Sequence, residues 1–319
     1  MKKVLIYNDS LEGTFKEKNL WILLKEGLNA DFVTQIPENI KDYDLIISNA
    51  TTCNKKFSIK NICLLQDNYK QAFIDNKIID SENSKKLKFQ IEALKNSDIQ
   101  VTNSDYTANV YKQYSFDFKI MPIGVDAKLF NIPSLEEKNF FKRKYNIPLN
   151  FFVGFYIGDL QKGCENVKGW NLLYKLICTS NNIFWIIILK SAIITSTGNN
   201  YKSFTAIPQE QVAELMKCAD FSISCAPIET WCLAIVEAMA TGLPSVMFRT
   251  GFFWNIDEKF LHNEYGIIVD NYTIEDYQKA IITLSNTSKA IFNPRKVVLD
   301  LKLTHEETVK KWKELIESV

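Results

Sequence analysis

Residues Glu229–Val246 read ETWCLAIVEAMATGLPSV, a carboxylate at each end of seven mostly apolar residues, then small apolar residues, Gly and Pro. The glutamate pair alone decides nothing. EETVKKWKE, near the C-terminus, holds Glu306 and Glu314 at the same spacing in what reads as an ordinary exposed helix. The difference lies in the surroundings. Trp231 to Ala240 reads as a helix and PSVMF behind it as a strand, which puts Glu229 in the preceding loop and Glu237 on the helix.

Outward from this stretch the chain alternates strand and helix. DFSIS and a helix from Pro208 to Cys218 precede it, and IFWIIIL, a helix from about Gly169 and FFVGFYIGD precede those. The first part of the chain repeats the pattern with KVLIY, an amphipathic stretch from Phe15 to Leu28, DLIIS, NICLL, IQVTN and FKIMPIGVD. Short apolar strands alternating with helices predict parallel sheets covered on both faces. Between the arrays, Asn131 to Asn150 is polar and charged, with Pro133 and Pro148 bracketing a helical piece, and reads as a connection between domains. The chain length of 319 residues also favours two domains over one core.

Composition excludes several classes. Lys+Arg 38 against Asp+Glu 37 gives no global charge that would draw nucleic acid. Local basic clusters such as NKKF, SKKLKF and FKRKY read as solvated surface, with a weak attraction to anionic lipid as their functional alternative. The apolar run in MKKVLIYND is too short for a signal-peptide core, and IFWIIIL is far below the ~20 residues of a membrane span. Seven scattered cysteines without a C-x-x-C pair suit a reducing cytoplasm, and the seven-residue recurrence of Cys218, Cys225 and Cys232 reads as coincidence rather than a zinc site. His262 and His305 are the only histidines, and neither lies beside a nucleophile or carboxylate cluster, which argues against histidine-centred catalysis. Of the 11 glycines, all but Gly13 and Gly27 lie from Gly124 onward, mostly at turns that open or close helices of the second half. Such turns at the carboxyl ends of strands are where α/β folds bind ligands.

ETWCLAIVEAMATGLPSV resembles the donor-site motif of retaining family 4 glycosyltransferases, in which Glu, seven residues and Glu are followed by Ala-Met-Ala-x-Gly-x-Pro and a strand. Glu237, Ala238, Met239, Ala240, Gly242 and Pro244 carry the match, and Glu306 and Glu314 have no such sequel. The resemblance extends through SDIQVTNSDYTANVYKQY, IMPIGVDAKLF, KRKYNIPLNFFVGFYIG, IPQEQVAELMKCADFSIS, YGIIVD and LTHEETVKKWKELIE. It implies a GT-B fold: two doubly wound, Rossmann-like domains facing a central cleft. The implied boundaries are an acceptor-side domain over residues 1–130, joined by a returning C-terminal helix at about 303–319, and a donor-binding domain over 131–302.

The resemblance also implies roles. Glu229 contacts the transferred sugar, and Glu237 accepts hydrogen bonds from the ribose hydroxyls, two vicinal donors to one carboxylate. Lys168, in KGWNLL, and secondarily Lys162 neutralise the leaving diphosphate, helped by backbone N–H groups around Cys232, Leu233 and Ala234 at the positive helix end. Gly13 and Ile207 complete the implied donor-binding residues, and Gln66 and Asp67 face the acceptor side. The expected reaction moves a sugar from a nucleoside-diphosphate sugar, UDP- or GDP-linked, to a carbohydrate, lipid-linked or protein acceptor, with retention and without metal or other cofactor. The expected location is cytoplasmic, with room for peripheral contact at the inner membrane face.

Departures from the family pattern are specific. Gly158 is followed by Asp159 where Gly-Arg is usual, and Trp231-Cys232 stands where an aromatic residue and Gly are usual. LLQDNY offers Gln66 and Asp67 in place of the first-domain histidine; for Asp67, loop capping competes with binding a sugar hydroxyl. SLEGT reduces the usual Gly-Gly loop to Gly13. Phe252, Phe253 and Trp254 read as core or interface residues rather than a sugar platform. These losses leave two alternatives, a nucleotide-sugar hydrolase or epimerase of the same fold and a non-catalytic glycosyltransferase-like partner protein. A nicotinamide dehydrogenase is disfavoured, because no G-x-G-x-x-G follows either domain's first strand.

Overall fold

The structure, a computed structural model, describes residues 2–8, 15–67, 70, 81–159, 167–190, 200–258 and 264–319. Gly13, Lys162 and His262 lie outside the described residues. The chain forms two compact units, Met1–Gly124 with His305–Val319, and Val125–Thr304.

The first unit holds six strands: β1 (Val4–Tyr7), β2 (Asp31–Val33), β3 (Leu45–Asn49), β4 (Lys60–Leu65), β5 (Ile99–Thr102) and β6 (Phe118–Ile120). They form one parallel sheet in the order β2-β1-β3-β4-β5-β6. Around it lie α1 (Phe15–Leu28), α2 (Ser81–Lys95) and α3 (Asp105–Val110). Period-two alternation sorts the strand residues between the faces. Val4, Ile6, Leu45, Ile47, Ile62 and Leu64 pack with Leu20, Trp21 and Leu24 of α1. Leu5, Tyr7 and Ile46 join another cluster with Cys53, and Cys63 and Leu65 pack with Leu94 and Tyr111. The last helix of the chain, His305–Glu317, returns to this unit and inserts Trp312 and Ile316 into the core shared with α1.

The second unit contains β7 (Phe152–Gly158), β8 (Ile183–Leu189), β9 (Tyr201–Thr205), β10 (Phe221–Ser224), β11 (Ser245–Phe248) and β12 (Gly266–Val269). Its sheet is also parallel, in the order β12-β11-β10-β7-β8-β9. Its helices are α4 (Leu135–Lys144), α5 (Trp170–Thr179), α6 (Gln209–Cys218), α7 (Leu233–Ala240), α8 (Ile274–Asn286) and α9 (Pro294–Asp300), so the helix His305–Glu317 is α10. Every residue of β8 is buried, as a central parallel strand requires, whereas edge strand β9 is half-buried throughout.

The run AMATGLP turns out to be an element of construction. Ala238, Met239 and Ala240 are buried on α7. Gly242 takes φ +84, and the Leu243 N–H donates to the Ala238 carbonyl at 2.9 Å, closing the helix as a Schellman motif. A Cβ on Gly242 would also lie 2.9 Å from Ile132. Arg295 donates to the Ala240 carbonyl at 2.5 Å and to those of Phe130 and Ala127, placing a cation at the negative end of α7. The Pro244 carbonyl then accepts from the Ser222 N–H at 3.0 Å, seating β11 beside β10.

Among the described residues no helix is long and apolar enough to cross a membrane. Nor do any three His, Cys, Asp or Glu side chains there converge as a metal site, so Cys218, Cys225 and Cys232 do not form one.

Candidate active site

In the second sheet the strand order reverses between β7 and β10: β8 and β9 follow on one side, β11 and β12 on the other. Connections leaving such neighbouring strands diverge and open a crevice at their carboxyl ends. Lys168 lies on the connection after β7, and Glu229 on the connection after β10. The two meet there, with Lys168 Nζ donating to Glu229 Oε1 at 2.7 Å. The lysine side chain is 34% exposed and the glutamate 16%, so the pair is partly open to solvent.

Backbone geometry fixes both partners. Gly169 caps α5 at φ +69, and a Cβ there would sit 1.6 Å from the Cys225 carbonyl oxygen, so only glycine lets the lysine loop approach the end of β10 this closely. Tyr272 donates to the Cys225 carbonyl at 2.6 Å and Tyr277 to the Ser224 carbonyl at 2.9 Å. Burial pushes both phenols upward, so they remain protonated donors across neutral pH. Burial likewise pushes the Cys225 thiol up and leaves it an inert packing group. The Tyr156 hydroxyl donates to the Lys168 carbonyl at 3.1 Å. On the other side, Thr250, itself buried, accepts the Glu229 N–H on its Oγ1 at 3.1 Å.

The start of α7 stands on the same loop as Glu229. Its first N–H groups, those of Leu233 and Ala234, precede any carbonyl to which the helix could bond them, and its first turn carries no acid. Its cap residue, Cys232, adopts φ +67 and ψ 53, a conformation that costs an L-residue about 1–2 kcal/mol. This is the position where the family pattern has glycine, and the backbone here keeps the glycine conformation with a buried thiol in place. Trp231 is buried against Phe252 at 4.8 Å between centroids. Phe253 is core, and Trp254 is exposed.

Glu237 is 2% exposed and accepts from Gln209 Nε2 at 3.2 Å. Gln209 opens α6, directly after Ile207 and Pro208 at the carboxyl end of β9. The preceding residue, Ala206, has φ 51, so the chain turns sharply here. Gln209, Thr250 and Tyr272 are the contributors that pattern reading misses. Asp159 is half-buried at the end of β7, where the family places arginine.

In the first unit, Gln66 is buried, and Asp67 is held by Thr51, whose Oγ1 donates to Oδ2 at 3.4 Å, and by Gln90, whose Nε2 donates to its backbone carbonyl at 3.1 Å. Those contacts have the loop-capping form. Glu306 and Glu314 lie exposed on α10.

Residues 189–295 match the family described as Glycosyl transferases group 1. No curated protein matches the sequence. Among solved structures, sucrose-phosphate synthase from Thermosynechococcus elongatus superposes with a TM-score of 0.79 at 14% identity, covering 100% of this chain and 99% of that one. Anabaena HepE in complex with UDP and glucose gives 0.78 at 16% identity, with 100% of each chain covered. A glycosyltransferase from Rickettsia africae gives 0.70 at 12%, covering 99% and 98%. Two parallel six-stranded sheets and likeness along the whole chain to these structures show a GT-B fold, and the segment that matches the Glycosyl transferases group 1 family, residues 189–295, holds Glu229 and Glu237.

Proposed function

We propose that the protein is a retaining, metal-independent glycosyltransferase that takes a hexosyl group from a nucleoside-diphosphate sugar, with UDP-sugars as the first candidates. The observation that carries this reading is the pairing of Lys168 with Glu229 across the strand-order reversal, beside the acid-free start of α7. A cation and a positive helix end suit a departing diphosphate, and a carboxylate in the same crevice suits sugar hydroxyls. The bond from the anomeric carbon to the diphosphate breaks, and the acceptor oxygen forms its bond on the same face. The acceptor proton passes to the departing phosphate oxygen, so no histidine is required. The family segment, and the UDP and glucose held by HepE, support the donor class. A cytoplasmic site of action belongs to the same proposal.

A thermal-shift series with UDP-, GDP- and ADP-glucose tests it. At a hundredfold excess over Kd the true donor should raise the unfolding midpoint by roughly 5 °C. No shift with any nucleotide sugar would sink the donor assignment, and sugar release without an acceptor would favour a hydrolase. NMR of the product reads the anomeric configuration, and loss of turnover in EDTA would contradict the metal-free mechanism.

Gln209 gives a finer test. If its amide orients Glu237 toward the ribose hydroxyls, Gln209→Leu should weaken UDP about tenfold, the effect of one lost hydrogen bond to a charged group. Binding of 2′-deoxy-UDP, already lacking one of those hydroxyls, should change far less. Equal losses for both nucleotides in calorimetry would make Gln209 a packing residue only.

A further inference from the structure

Helix α4 packs inside out. Its inward face carries lysines: Lys138 donates to Asp220 Oδ1 at 2.8 Å, and Lys142 is 4% exposed, its Nζ 3.5 Å from the Leu149 carbonyl oxygen. Opposite them, Lys217 of α6 pairs with Glu137 at 2.9 Å. The outward face carries apolar residues instead. Leu135 is 76% exposed and Phe140 59%. An ordinary surface helix does the reverse and turns its apolar stripe to the core.

The exposure is also concentrated. Among the described residues twelve large apolar side chains are exposed, and five of them lie on or beside α4: Ile132, Leu135, Phe140, Leu149 and Phe151. Single exposed apolar residues are ordinary, whereas a cluster marks a surface that another molecule covers.

The charges on the same face point to that molecule. Glu136, Asn139, Phe140 and Arg143 form one stripe along the helix, at the three- and four-residue spacings that share a side. Glu136 and Arg143 are both exposed. They stand two turns apart, about 10 Å along the axis, with Asn139 and Phe140 midway. Laying a second α4 antiparallel on this stripe, about a two-fold axis between Asn139 and Phe140, sets Glu136 opposite the partner's Arg143. The same operation sets Arg143 opposite the partner's Glu136, and Leu135 against the partner's Lys144. Because Lys144 is already neutralised by Glu214 at 2.6 Å, that last contact carries no lone charge.

We propose that α4 is a self-association surface, and that a second copy of this chain covers it in an antiparallel, two-fold symmetric contact. Opposite charges at equal distances from one centre are what such an interface needs, because every contact in it occurs twice. An anionic bilayer fits less well. It would select a basic rim, and here Glu136 offsets Arg143 while Glu214 neutralises Lys144. Burial of the apolar side chains drives the association, and the two ion pairs set its direction.

Sedimentation of the full chain tests the proposal. The wild-type protein should dimerise reversibly in the micromolar range. Phe140→Asp should leave it monomeric with the circular dichroism of the wild type, because Phe140 is exposed. Glu136→Arg and Arg143→Glu each set like charges against one another and should weaken the dimer at least about tenfold. Mixed together, these two variants should form a heterodimer of about wild-type strength, because one presents two cations to the other's two anions. Damage to the fold of α4 would not be repaired by mixing. A wild-type protein that stays monomeric, a dimer that survives Phe140→Asp, or variants that do not recover on mixing would each overturn the assignment. A monomer that binds phosphatidylglycerol–phosphatidylcholine vesicles, and loses them with Phe140→Asp, would overturn it in favour of a membrane.

Discussion

Glu229→Ala should lower turnover by about 10²–10³-fold, the scale of removing one preorganised electrostatic group from an active site, and leave the fold intact. The residue sits on a loop, its side chain is 16% exposed, and Thr250 fixes its backbone rather than its carboxylate. Glu306→Ala, on exposed α10, should leave both turnover and unfolding unchanged. Initial rates with a confirmed donor check the pair, and equal outcomes would end the assignment. The 2.7 Å contact with Lys168 adds a second measurement. On the proposed reading its charge neutralises phosphate, so Lys168→Ala should weaken UDP binding as well as turnover. The double variant should be about as impaired as the worse single one, because residues that act as a unit are not additive. Full additivity would mean that the two side chains touch without sharing a task.

Gly169→Ala should destabilise the second unit by more than ~4 kcal/mol, at the upper end of what one substitution does. The new Cβ would meet the Cys225 carbonyl at 1.6 Å, and the residue would hold φ +69 besides. Because the obstacle is backbone, no change of side chain at position 225 should rescue it. Tyr272→Phe, which removes one hydrogen bond from the same carbonyl, should cost only about 1 kcal/mol. Denaturant unfolding of the two variants checks the ranking; a mild Gly169→Ala would show that the lysine loop can retreat from β10.

Much of this architecture was legible in the residue pattern because burial is periodic. Apolar runs such as IFWIIIL and VLIY can only be central strands, and α1 spans the amphipathic stretch Phe15–Leu28. Strands β2 and β9 were not legible: at the sheet edges DFV and YKSFT are nowhere fully buried and carry too little apolar signal. In the site, Glu229, Glu237 and Lys168 stood out through AMATGLP and Lys-Gly, whose glycines have strict backbone duties. Gln209 and Thr250 did not, because a contact across 28 or 21 residues leaves no local trace. On the first sheet LLQDNY drew attention to Gln66, whereas nothing in the sequence pointed to Asn103. Only strand register makes neighbours of Gln66 and Asn103, 37 positions apart.

The return of α10 to the first unit has a consequence for biosynthesis. Trp312 and Ile316 belong to the core that Val4, Ile6 and α1 begin. A chain emerging from the ribosome therefore lacks part of the core of its first unit until α10 has been made. The second unit, continuous from Val125 to Thr304, has all of its residues earlier. The usual order, in which the earlier domain folds first during synthesis, is reversed for these two units: the first is completed only after the second has been made.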